Sequence, residues 1–428
     1  MELSIHFHDQ TCGTLHIDQG RMRFAYLPAY IAAGGPPISV AMPCSQQIWP
    51  DARAFPFFEN LLPEGTIRQL LANRLGTAEN NFSRLLQATG GDVAGAISIG
   101  GAATPTRTAL PPALSDQALG QVLEQIKTEP FLPDNQHGMR LSLAGAQNKL
   151  PVVIDDKDAI HLPGQHASTH IIKPPSERFP GLVENEYLCM RAASRAGLNV
   201  PPVTVRNFVA ADGQHHDCYV IQRYDRHTPN GVTLRLHQED VCQIAGVVSA
   251  QKYAQDGGPG FRELFDVLRT FTKPSALHQQ ELIKRLLFNL LIGNQDAHAK
   301  NFSLLHTQAV QSLPPQGSQR QAVVLAPAYD LVCTLVYPQL QNRFAMPVGQ
   351  AWTIKDLDKA AREQFQVESG VNLRRQTRTL QRFVDSALNA IEVEAKLIKP
   401  HAWPQSHQVM DQILALARGH AEKLRQWL

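Results

Sequence analysis

The stretch GNQDAHAKNFS, residues 293–303, decides the reading of this chain. It follows an apolar run, LLFNLLI (286–292), whose spacing predicts a helix over 279–291, and Gly293 and Asn294 are residues on which a helix stops. The polar residues after them therefore fall on a loop delivered by a rigid element. Asp296 and Asn301 stand five apart. That is the separation, in the kinase loop H-R-D-x-x-x-x-N, between the Asp that orients the attacking hydroxyl and the Asn that binds metal. Taken alone, the same residues also suit a polar turn with His298 packed and hydrogen-bonded.

Phosphoryl transfer from ATP further asks for a phosphate-cradling loop, a Lys on the phosphates and a second oxygen ligand for metal. Each has a candidate in a workable order. Downstream, Asp330 in LAPAYDLV (325–332) suits the second Mg²⁺ ligand, although no Gly follows it as in D-F-G; a strand-end or helix-cap aspartate is the alternative. Upstream, Lys173 ends the strand-like HIIK (170–173), and Glu186 in VENEYLC (183–189) could hold it, with Glu184 as the spare. A solvated lysine is the alternative there. In LSLAGAQNK (141–149) the small residues Ala144, Gly145 and Ala146, with Gln147, let the backbone approach phosphate oxygens. Ser142 opens that loop and is a hydroxyl able to receive phosphate, whose negative charge would repel ATP from the same loop. The loop also reads as a plain helix-to-strand turn. IQRYDR (221–226) lies where a hinge would offer backbone groups to adenine and Asp225 to the ribose, or is a simple strand-to-helix linker.

Around these motifs the pattern predicts three parts. Residues 1–110 mix short strands with a helix over 57–75 and close on the Gly-rich 90–101 and a Pro/Thr/Ala connector, 102–113. Residues 111–225 carry a helix, strand-like LPVVI and HIIK, a helix over 185–196 and two further strands, which suits a nucleotide-binding small lobe. Residues 226–428 read as long helices at 237–249, 261–271, 279–291, 373–394 and 408–427, with a β-like piece at 322–331. The whole is an α+β arrangement with a mostly helical C-terminal lobe.

Length and composition agree. A chain of 428 residues exceeds one ordinary core, and 40 basic against 38 acidic residues give no bulk attraction to nucleic acid. No apolar run approaches the roughly 20 residues of a membrane span. The start, MELSIHFHDQTCG, lacks a basic segment followed by an apolar one, so a cytoplasmic protein is expected. Six scattered cysteines without a CxxC pair argue against a disulfide framework. His215, His216 and Cys218 lie in a polar turn that suits a hairpin better than zinc.

The segments FPFFENLLPEG (55–65), GGDVAGAISI (90–99), LSLAGAQNK, THIIKPP (169–175), VENEYLCM (183–190), IQRYDR, HQEDVCQIAG (237–246), QKYAQDGGPG (251–260), GNQDAHAKNFS and LAPAYDL (325–331) together resemble, in order, the landmarks of the HipA family of bacterial type II toxin-antitoxin Ser/Thr kinases. The resemblance runs through nearly the whole chain. It implies a two-lobed protein-kinase-like fold related to phosphoinositide kinases, preceded by a small α/β subdomain. It implies Asp296 as catalytic base with His298 beside it, Asn301 and Asp330 as Mg²⁺ ligands, and Lys173 on the ATP phosphates with Glu186. The backbone of Gln222 and Tyr224 would hold adenine, Asp225 the ribose, Lys300 would face the nucleotide, and Ser142 would be the autophosphorylated serine.

Family members arrest growth by phosphorylating a translation component, in the best-known case glutamyl-tRNA synthetase. They are neutralised by a small helix-turn-helix, HipB-like antitoxin that binds operator DNA. Two departures stand out: Gln222 where the family often has Glu, and a short segment, PPSERFPGLVEN (174–185), in a region that engages the protein substrate. Arg374, Arg378 and Arg382, with Arg375 beside them, recur at helical spacing and make a stripe able to meet DNA phosphates or simply a solvated face. The enzymatic alternative is a small-molecule kinase; the non-enzymatic one is a catalytically weak kinase-like module acting with an antitoxin in DNA-bound autorepression.

Overall fold

In the strand Glu2–Phe7 every second side chain, Leu3, Ile5 and Phe7, is buried, the alternation that sets a strand with one face on a core. The computed structural model describes residues 1–101, 109–128, 147–210, 212–229, 232–307 and 322–428. Among them the strand joins an antiparallel sheet in the order Ile48–Trp49, Arg21–Tyr26, Gln10–Asp18, Glu2–Phe7, Ile97–Ile99. Phe57 and Phe58 from the helix Asp51–Glu59 fill its buried face together with Leu15 and Phe24. The single helix expected over 57–75 is two, Asp51–Glu59 and Gly65–Arg74, because Pro63 between them lacks the N–H to carry a helix through.

A second sheet runs Ile160–His161, Leu150–Ile154, His170–Lys173, His215–Gln222, Val203–Val209. The helix Asp116–Thr128 supplies Leu119, Leu123 and Ile126, at helical spacing, to a core with Val152, Ile172, Phe208 and Val220. His215 opens one strand of a hairpin, its ring against the Asn207 side chain at 2.5 Å, and the Cys218 thiol donates to the Arg206 carbonyl at 3.3 Å. The hairpin reading of that segment stands.

The first sheet, and the second apart from Val203–Val205, belong to one compact unit, Met1–Pro174 with Arg206–Ala250 and Ser303–Val323; the other comprises Pro175–Val205, Gln251–Phe302 and Val324–Leu428. The division departs from cuts at 110 and 225. The helix Leu182–Arg195, expected with the small lobe, packs against Leu373–Ile398, where buried Glu394 receives Arg195 at 2.7 Å and Arg191 at 3.2 Å. The expected helix over 237–249 is instead a strand, Gln238–Asp240, and a short helix, Val241–Ala245. Asp240 and Gln243 form a capping box at its start, and Gly246 in the left-handed region ends it. The remaining long helices of the second unit are Phe261–Phe271, Ser275–Ile292, Lys359–Ser369 and Pro404–Trp427. Of these, only Lys359–Ser369 had no counterpart in the sequence pattern.

A buried ion network fixes the first unit. Asp225 accepts from Arg223 at 2.9 Å, from Arg226 at 2.8 Å and from the Gly95 N–H at 2.8 Å. Asp92 accepts from Arg226 at 2.7 Å and from the Ser168 hydroxyl at 2.6 Å. Arg235 donates to the carbonyls of Gly91, Val93, Gly95 and Ile97 and so clamps the whole Gly-rich segment. Burial raises the Asp92 carboxyl, but Arg223, Arg226 and Arg235 outweigh it and hold the group down at about 2. A carboxylate depressed in the folded state stabilises above its unfolded pKa and loses that contribution as pH falls through the folded one. We therefore expect about 2 kcal/mol of stability to be lost as pH drops from 3.8 to about 2. Asp92→Asn should flatten that part of the acid-denaturation curve, measured by circular dichroism.

Candidate active site

The helix Ser275–Ile292 buries Leu282, Ile283, Leu286, Phe288, Leu290 and Leu291, and ends at Gly293 with φ +70, the left-handed cap that glycine adopts without a Cβ penalty. Asn294 follows and joins three segments. Its side-chain amide donates to Asn289 Oδ1 at 2.8 Å and to the Asp330 carbonyl at 3.3 Å, while its Oδ1 accepts the Asp296 N–H at 3.1 Å. The Asp296 carbonyl then takes the His298 N–H at 2.8 Å and Asn301 Nδ2 at 2.9 Å. The main chain of Asp296 is held from three directions, while its carboxylate stays 49 % exposed.

Asp330 arrives from the other side. Its φ is +53, a backbone conformation uncommon for a side chain with a Cβ and concentrated at functional sites. No helix follows it, so it is not a helix cap. Just beyond, the fully buried Asn185 grips Cys333 both ways, Nδ2 to its carbonyl at 2.9 Å and Oδ1 from its N–H at 2.8 Å. The Tyr329 hydroxyl donates to the Lys300 carbonyl at 2.7 Å. The result is a small recess lined among others by Arg285, Asn289, Asn294, Asn301 and Asp330. Asn301 Nδ2 is committed to Asp296, and Asn301 Oδ1 and the Asp330 carboxylate are oxygen donors of the type that could hold a hard cation such as Mg²⁺.

The sequence matches two family descriptions, "HipA N-terminal domain" over residues 3–100 and "HipA-like C-terminal domain" over residues 141–393. The chain belongs to the HipA family. Y4mE of Sinorhizobium fredii, a protein named as a candidate kinase, is 38 % identical over 87 % of this chain and 86 % of its own length. The serine/threonine-protein kinase toxin HipA of Shewanella oneidensis is 32 % identical over 68 % of this chain and 66 % of its own. A solved complex of Shewanella oneidensis HipA, HipB and operator DNA superposes with a TM-score of 0.77 at 26 % identity, covering 99 % of both chains. The HipA α+β, two-lobed kinase-like fold is therefore shared.

Within this chain the second unit gathers Asp296, His298, Lys300, Asn301 and Asp330, with Glu186 and Glu184 buried on the helix Leu182–Arg195. His298 is 5 % exposed, its ring edge-on to Tyr253 at 5.3 Å. The first unit carries Lys173, Gln222, Tyr224 and Asp225. Lys173 is no solvated lysine: it is buried, its ammonium 5.6 Å from the centre of the Tyr219 ring. Gln147 is half-buried, whereas Ser142, Ala144, Gly145 and Ala146 lie outside the described residues. Gln222 is exposed at its strand's end, and the Tyr224 hydroxyl donates to Gln238. Asp225 corrects the expectation of a ribose ligand, since its carboxylate is buried and taken up by Arg223, Arg226 and Gly95.

The sequence pattern did not single out Asn185, Tyr253 or the bridging role of Asn294. It also missed a buried group of His237, Glu239 and His306 with the residue types of a metal site. Glu239 already accepts the Ser39 hydroxyl and the Val40 N–H, and His237 spans the Ile38 carbonyl and the Ala96 N–H, so the group reads as a lock on residues 38–40. Replacing Asn185 by Ala strips both polar groups of buried Cys333 of a partner. The expected cost is about 2–4 kcal/mol, seen as a lower thermal midpoint and faster hydrogen exchange at 330–335.

Proposed function

We propose that this chain is an ATP- and Mg²⁺-dependent serine/threonine protein kinase, the toxin of a toxin–antitoxin pair. The observation that carries the reading is the half-exposed Asp296 carboxylate beside a recess lined by Asn301 and Asp330. Asp296 accepts the proton of an acceptor hydroxyl as that oxygen attacks the γ-phosphorus, and the electron pair of the broken bond leaves on ADP. Asn301 and Asp330 would hold Mg²⁺, which when bound neutralises charge on the β- and γ-phosphates. Lys173 is assigned to the phosphates, the backbone near Gln222 and Tyr224 to adenine, and Ser142 to autophosphorylation. The kinase names of the relatives support the reaction class.

The protein substrate belongs to translation in this reading, an aminoacyl-tRNA synthetase such as the glutamyl enzyme, and its modification arrests growth in the cytoplasm. A small HipB-like helix-turn-helix protein would restrain the toxin, supported by the HipA–HipB–operator arrangement of the Shewanella oneidensis relative. Arg374, Arg375, Arg378 and Arg382 are all exposed on the helix Leu373–Ile398 and would face operator phosphates in such a complex. Among the described residues no helix is long and apolar enough to cross a membrane.

Purified protein with Mg²⁺ and γ-labelled ATP should label Ser142, and Asp296→Asn should not; equal labelling of both removes Asp296 from the chemistry. Asp330→Ala should weaken nucleotide binding at least tenfold more in Mg²⁺ than in EDTA, read by calorimetry. An identical loss in both buffers takes Asp330 out of the metal site. Phosphoproteomics of cells expressing wild type against Asp296→Asn identifies the substrate, and an unchanged synthetase profile discards that class.

A further inference from the structure

The segment QKYAQDGGPG, residues 251–260, is untouched by the roles assigned so far, yet its backbone is tightly specified. Tyr253 precedes the short 3₁₀ turn Ala254–Asp256, and its carbonyl accepts both the Asp256 N–H at 3.0 Å and the Gly258 N–H at 3.0 Å. A Cβ on Gly258 would lie 2.2 Å from the Gln251 carbonyl oxygen and 2.8 Å from that of Tyr253, so only glycine closes this loop. The Ala254 N–H donates to the Ala345 carbonyl at 3.0 Å, which ties the loop down at its other end.

What the loop delivers is one hydroxyl. The Tyr253 O–H donates to Asp296 Oδ1 at 2.7 Å, and the ring stands edge-on to His298, with an interplanar angle of 85°. Among the described residues the Asp296 carboxylate meets two groups, this hydroxyl and His298 Nε2 at 3.9 Å, both on the Oδ1 side. A carboxylate on a half-exposed Asp otherwise turns freely about its last bond.

We propose that Tyr253 is a positioning residue for the phosphoryl-transfer base: by occupying Oδ1 it fixes the carboxylate plane and leaves Oδ2 to receive the acceptor's proton. The inference rests on the kinase reading of Asp296. In the step it serves, the acceptor O–H bond breaks toward Oδ2, the acceptor oxygen bonds to the γ-phosphorus, and the β–γ bridging bond breaks with its electron pair kept by ADP. Tyr253 loses no proton and touches no phosphate. Its hydroxyl lowers the barrier through orientation, a contribution that belongs to the transfer step rather than to nucleotide binding.

The test is steady-state phosphoryl transfer by full-length wild type and Tyr253→Phe, with the thermal midpoint measured alongside. Phe keeps the ring against His298 and removes only the hydroxyl. Expected are a kcat lowered about tenfold or more, a KM for ATP within about twofold of wild type, and an unchanged midpoint. Gly258→Ala, which must push the loop open, should lower kcat in the same direction with the same small change in KM. A Tyr253→Phe enzyme with wild-type kcat overturns the proposal. So does one whose kcat, KM and midpoint all deteriorate together, since that marks a scaffold residue. A wild-type protein that transfers no phosphate in Mg²⁺ overturns the kinase reading and this inference with it, an outcome distinct from an active wild type matched by its variant.

Discussion

The Asn294 side chain is the joint on which the candidate site depends. One amide ties the last turn of the helix Ser275–Ile292, the reactive loop and the segment that carries Asp330. Each of its hydrogen bonds is worth only about 1 kcal/mol net, but an amide buried without them would cost more than it gives, so the three segments are held together or not at all. Asp296 and Asp330 thereby keep a fixed spacing although 34 residues separate them in the chain.

Around that joint the protein uses one device repeatedly: a buried polar side chain that satisfies the main chain of a distant segment. Asn185 does it for Cys333, Arg235 for the carbonyls of 91–97, Glu239 for residues 39 and 40. Helices and strands satisfy their own backbones; loops that must hold a shape borrow donors and acceptors from elsewhere. The strained backbone at Asp330 is supported in this way on both sides, by Asn294 at its own carbonyl and by Asn185 three residues later.

Local structure was legible in the sequence wherever spacing and type sufficed. The five-residue interval of Asp296 and Asn301, the glycine stop at 293 and the apolar periods of the long helices all reappear in the structure. What escaped was set by long-range contact. Nothing in VENEYLC says that its Asn rather than its Glu grips a loop nearly 150 residues away, and nothing in IQRYDR says that its Asp is consumed by flanking arginines. The helix over 237–249 failed because a strand pairing, Gln238 to Leu305, outweighed helical propensity. Tyr253 did leave a trace, the Gly-Gly pair after it, which signals a backbone constraint without naming what is constrained.

The clamp of Arg235 on residues 91–97 also bears on where this protein can be cut. The family's N-terminal description ends at residue 100, an inviting place to divide the chain. A fragment ending there would carry Asp92 and four carbonyls without their guanidinium, and the remainder would carry three buried arginines against the single carboxylate of Asp225. The seam between the two sequence families is not a seam in the fold. Cutting at residue 100 is therefore expected to leave buried charge and main-chain carbonyls without partners in both pieces, so neither piece should fold by itself.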